Sequence, residues 1–272
     1  MGVKLLMKNL FTILLGIACI TILFYGHSYW NQRITTASNM APSTSDKQPS
    51  KVDTQTNENS NELLKLTRNW PSRSIDRFQQ TLDEKKVFKL LFVGSPAMGS
   101  ETSGAFPLVK EHLMKAFGQD HIQVTIQTFN STSTQFIHNH TPAEIASEKA
   151  DLIIFEPFIW LNNGEVLIED SLKDATTFMD DIQTRNPETA FILQPAFPIY
   201  KAKIYPAQVE ELKKFAKKNK ITYIDHWSTW PNPDSKEIKD YLLPDQSAPS
   251  DKGNQLWSEY LTQFLISKSE SE

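Results

Sequence analysis

Five stretches between residues 87 and 225 read as strands. VFKLLFVG (87–94), DLIIFEPF (151–158) and AFILQPAF (190–197) are nearly unbroken apolar runs, IQVTIQTF (122–129) is β-branched and mixed, and ITYID (221–225) is short. Unbroken rather than alternating hydrophobicity predicts strands covered on both faces, as in a parallel sheet. Between them the period changes. Val209, Leu212 and Phe215 repeat at helical spacing after Pro206, and Leu256, Trp257, Tyr260, Leu261, Phe264 and Leu265 form one stripe near the end. Strand and helix in alternation predict a three-layer α/β/α sandwich around a mostly parallel five-stranded sheet of flavodoxin type.

Hydropathy also divides the chain. After Lys4 and Lys8 comes LFTILLGIACITILFY (10–25), and the apolar segment Leu5 to Tyr25 is long enough, as a helix, to cross a hydrocarbon core of roughly 30 Å. A cleaved signal peptide would want small residues at a cut site, and FYGHSYW supplies no convincing site; a lipid-modified Cys19 would want a branched apolar residue where Gly16 stands. Residues 1–31 are therefore expected to be a cytoplasmic N-terminus and an uncleaved signal anchor. Lysines before the span place the remainder outside the cytoplasm, as a single-pass protein of the cell membrane. Residues 32–62 are rich in Ser, Thr, Asn and Gln and nearly free of large apolar groups, a disordered polar tether. Residues 63–272 form the folded domain.

Composition excludes several function classes. A net charge of −4 and a pI near 5.9 provide no basic field for nucleic acid. With Cys19 as the only cysteine, the chain has neither a disulfide of its own nor a thiolate metal cluster. His138 and His140 share an i, i+2 spacing but lack a third ligand in register, so they read as a solvated turn. No metal site and no cofactor are expected.

In doubly wound sheets ligands gather at the carboxyl ends of the strands. After the first strand stands GSPAMGSETSG (94–104), where Ser95 can project a hydroxyl beside backbone amides suited to an oxyanion. The loop lacks the glycine spacing of a dinucleotide or P-loop site. Near the end, DYLLPDQSAPSDKGNQLWSEYL (240–261) runs from an acidic residue through a tight loop to Lys-Gly and an amphipathic helix.

A strand, Gly-Ser with small residues, a helix and a C-terminal Asp-x-x-x-Pro-x-x-Lys-Gly helix together resemble the SGNH or GDSL hydrolases, serine esterases, over roughly residues 85–267. The resemblance implies Ser95 as nucleophile by a one-residue slip; strict alignment on Gly94 puts Ser95 at the family's aspartate and Pro96 at its nucleophile. It implies Asn130 or a neighbouring amide as a donor after the second strand, since the family's glycine is absent from NSTSTQF. After the third strand it implies Asn162 or Asn163 as a side-chain donor, and in the last block it implies Asp245. The histidine base of that block is missing, because Ala248 occupies its slot. His226, after the last strand, is the candidate substitute base, with His138 and His140, after the second-strand loop, as alternatives that would lean over the site.

Each residue also has a plainer reading. Gly-Ser after a strand is an ordinary tight turn, Asn162 and Asn163 before Gly164 are turn signals, Asp245 is a loop or cap residue, and His226 beside tryptophans is a packing residue. Trp227, Trp230 and Tyr241 read as loop packing. Two functions follow from these alternatives. One is a membrane-anchored extracytoplasmic serine esterase that deacylates an envelope glycan or a small ester. The other is a catalytically defective hydrolase-like domain that acts as a surface binding or assembly module.

Overall fold

A computed structural model of the chain describes residues 51–139 and 141–267. The expected anchor, residues 32–50 of the tether and His140 lie outside them. Among the described residues no helix is long and apolar enough to cross a membrane.

Strands β1 (Phe88–Gly94), β2 (Ile122–Thr128), β3 (Leu152–Phe155), β4 (Ala190–Leu193) and β5 (Thr222–Tyr223) form one sheet in the order β2-β1-β3-β4-β5. Every pairing is parallel. The pleat explains the unbroken apolar runs. Phe88, Leu90 and Phe92 of β1 pack on one face while Leu91 and Val93 pack on the other, and β3 and β4 divide their residues in the same alternation.

Helices cover both faces. On the first lie α1 (Lys51–Leu66), α2 (Ser72–Asp83) and α3 (Ala105–Phe117), contributing Leu63, Phe78 and Leu113 among others. On the second lie α4 (Ser133–His138), α5 (Thr141–Ser147), α6 (Ile159–Asn162), α7 (Ile168–Arg185) and α8 (Tyr205–Lys218). The last helix, α9 (Asp251–Leu265), returns to the first face through Trp257, Leu261 and Leu265.

Two boundaries differ from the sequence expectation. β3 ends three residues early, at Phe155, and β4 four residues early, at Leu193, because Pro157 and Pro195 cannot donate to a ladder. The expected tether is helical from Lys51 onward. Leu63 docks its far end in the core, with Leu64 and Leu66 against it, and helix propagates from a fixed turn more readily than it nucleates alone.

Candidate functional site

β1 connects to β2 on one side and β3 lies on the other, so the switch point of the sheet falls between the carboxyl ends of β1 and β3. Ser95 follows β1 there and Glu156 follows β3. Both are fully buried. The Ser95 N–H donates to Glu156 Oε2 at 2.8 Å, and the Glu156 N–H donates to the Val93 carbonyl at 2.9 Å. Gly94 permits this contact, since a methyl group on it would meet Glu156 Cβ and O at 2.7 Å.

Burial pushes the Glu156 carboxyl up from its ordinary value, against the pull of hydrogen bonding from Ser95. Ser95 Oγ and Glu156 Oε1 meet no well-aligned hydrogen-bond partner among the described residues. What the strand end presents to solvent is Pro96, the first residue of the 3₁₀ turn Pro96–Met98, and it carries no nucleophile.

His226 sits in the 3₁₀ turn His226–Thr229 after β5 and is fully buried. Its Nε2 lies 2.9 Å from the Pro195 carbonyl and its Nδ1 accepts from Trp230 Nε1 at 3.1 Å. That pair of partners fixes the tautomer with the proton on Nε2. Its ring stacks on Trp257 at 4.7 Å between centroids and 18° between planes. Burial depresses its pKa to about 4. Both nitrogens are therefore committed, and the expected substitute base is a neutral packing residue. Trp257 in turn donates to Gln194 Oε1 at 3.2 Å, and Gln194 Nε2 reaches Met98 Sδ at 3.4 Å. One chain of buried polar contacts thus ties α9 and β4 to the turn after Ser95.

None of the other candidates is hydrogen-bonded to Ser95 among the described residues. Asp245 is exposed, and its Oδ1 accepts from the Ser247 N–H at 3.1 Å and Oγ at 2.7 Å. These bonds hold its carboxyl below the usual carboxylate range. This is an Asx turn closing the loop, in which the Ala248 carbonyl accepts from the Leu243 N–H at 2.9 Å. Asn162 is buried, accepts from the Ser133 N–H at 2.8 Å, and donates to Ser133 Oγ at 2.9 Å and Ser171 Oγ at 2.8 Å. It staples α4, α6 and α7 together. Asn130 and Asn163 are exposed, and so is His138, the last residue of α4. Trp227 donates to the Ala196 carbonyl at 2.6 Å, in keeping with loop packing.

Glu156 and Gln194 escaped the sequence reading. The signal was present, because an acid at the end of DLIIFEPF and a glutamine at the end of AFILQPAF are polar groups inside runs otherwise destined for burial. Tyr205, the first residue of α8, belongs with them: its hydroxyl is buried without a partner among the described residues, and burial, with Glu156 nearby, raises its pKa well above normal.

No family sequence model and no curated protein matches the chain. Solved structures do. A protein assigned as a GDSL-like lipase from Parabacteroides merdae matches with a TM-score of 0.56 at 12% identity, over 66% of this chain and 96% of its own. A carbohydrate esterase of family 3 from Talaromyces cellulolyticus gives 0.55 at 14%, over 66% and 96%. The lipase/acylhydrolase of Enterococcus faecalis gives 0.50 at 14%, over 65% and 94%. With its parallel sheet in the order β2-β1-β3-β4-β5 between two helical layers, the chain has the fold of the SGNH/GDSL hydrolases.

Proposed function

We infer that the chain is an SGNH-fold domain that binds without turning over, a recognition or assembly module held outside the cytoplasmic membrane by its N-terminal apolar segment. The observation that carries this is the pairing of a fully buried Ser95 with an exposed Pro96 at the end of β1. A serine esterase needs an exposed hydroxyl with a base in reach, and both His226 nitrogens are bonded elsewhere. Its ligand class is cell-envelope carbohydrate, acylated or bare. The expected placement outside the cytoplasm supports that choice, as does the fold shared with a carbohydrate esterase.

A second reading, a membrane-anchored serine esterase acting on an acylated glycan or small ester, is favoured by one feature. Ser95 Oγ lies at the switch point beside the Glu156 carboxyl, with no well-aligned partner among the described residues. Hydrolysis of 4-nitrophenyl acetate by the full-length chain and by Ser95→Ala separates the two. Equal rates at the buffer background are expected. Turnover that disappears with Ser95 would overturn the binding-module reading and make the protein an esterase.

A further inference from the structure

The described residues expose four large aliphatic side chains, and two of them, Leu167 at 70% and Ile204 at 60%, line the same groove of about 410 Å³. Both occupy helix N-cap positions, Leu167 before α7 and Ile204 before α8, with no side-chain cap bond at either. An N-cap ordinarily carries Ser, Thr, Asp or Asn, so two exposed aliphatic residues there forgo capping stabilisation at both helices. Neither side chain serves its helix as a cap.

The groove has one sign of charge. Glu165, Glu169 and Glu211 line it, and no lysine or arginine does. Glu211 pairs with the exposed Lys214 at 2.8 Å, whereas Glu165 and Glu169 form no ion pair among the described residues. Glu169 is in the first turn of α7, where an acid suits the helix dipole. Glu165 precedes the helix and has no such task.

We propose that this groove docks a peptide segment carrying an aliphatic side chain flanked by lysine or arginine. The aliphatic group fills the space beside Leu167 and Ile204, and the cations meet Glu165 and Glu169. Charge complementarity selects this occupant over an acidic or purely apolar one. Ser95, Glu156 and His226 do not line the groove, so the proposal goes beyond the functional reading above and stands whichever way that reading resolves.

The test is fluorescence polarisation with the full-length chain in zwitterionic nanodiscs, using fluorescein-labelled Lys-Leu-Lys-Ile-Lys amide as probe and empty nanodiscs as baseline. Saturable binding above that baseline is expected. It should weaken at least tenfold in Leu167→Ser/Ile204→Ser, whose positions are exposed, and lose most of its salt dependence in Glu165→Gln/Glu169→Gln. Absence of saturable binding overturns the proposal, as does equal binding of a probe with glutamate in place of lysine or full binding by the double-serine variant. Self-association of the chain that the double-serine variant abolishes would also overturn it, giving the groove to a second copy.

Discussion

The Ser95 N–H and Glu156 Oε2 are joined at 2.8 Å across the ends of β1 and β3. The place where a doubly wound sheet usually opens to a ligand is therefore shut by its own polar groups. Closure depends on Gly94, which lets the ends of the two strands come together, and on an acid that burial holds toward its neutral form.

The buried acid has a pH signature. Glu156 has a folded pKa raised above its unfolded value, so the folded state holds the proton more tightly. Its contribution to stability is present at low pH and is lost as pH rises from the unfolded value toward the folded one. Glu156→Gln keeps an acceptor for the Ser95 N–H and carries no charge. Its melting temperature should match or fall below wild type at pH 4 and exceed it at pH 8, at about 2–4 °C per kcal/mol for a domain of this size. Parallel melting curves at both pH values would show that Glu156 does not titrate on unfolding.

His226 carries the opposite sign. Its folded pKa of about 4 lies below the ordinary 6.5, so the unfolded chain takes up a proton that the folded chain refuses. Stability falls as pH drops between those values, by about 3 kcal/mol across the window. His226→Phe keeps a ring on Trp257 but strands the Pro195 carbonyl and the Trp230 N–H, at about 1–3 kcal/mol each. Urea unfolding should therefore find the variant clearly weaker at pH 7.5, with the gap narrowing at pH 4.5. A constant gap would argue that His226 is not held neutral.

Asp245 should prove dispensable. Its carboxylate is exposed and bonds only to Ser247, two residues along. Asp245→Asn is expected to leave the melting temperature and the ester-hydrolysis background at wild-type values. A loss of turnover in that variant would place Asp245 in a catalytic constellation after all.

The layers of the fold were legible because their cause is local. Leu90 and Phe92 on one face, with Leu91 and Val93 on the other, are enough to mark β1 as a strand covered twice. The site was less legible because its cause is not local. His226 looks like a base in YIDHWSTW, yet its state is set by Pro195, thirty-one residues earlier, and by the stack on Trp257. Glu156 looks like the end of a strand, and only the fit of Gly94 against it shows that it is sealed in. Helix α1 is polar enough in composition to read as a tether, and its docking rests on the few apolar residues at its far end.

The Lys-Gly of the last helix separates a steric from a catalytic explanation. A methyl group on Gly253 would collide with the Tyr241 carbonyl and approach Pro249 Cβ at 3.0 Å and Trp230 Cη2 at 3.1 Å. Two of these are backbone or ring-fixed atoms of the loop that carries Asp245, so the strain has no flexible side chain to absorb it. Gly94 is similarly confined by Glu156 Cβ and O at 2.7 Å and Met98 Cε at 2.8 Å. Gly164, by contrast, has a φ of 84° but open space where a Cβ would go. Gly253→Ala and Gly94→Ala should each cost up to about 3 kcal/mol, the upper end of overpacking a well-filled site. Gly164→Ala should cost only the ~1 kcal/mol of a left-handed backbone. Chemical denaturation of the three variants gives the ranking, and a Gly253→Ala protein as stable as Gly164→Ala would mean that α9 does not press on the loop as tightly as Tyr241 and Gly253 indicate.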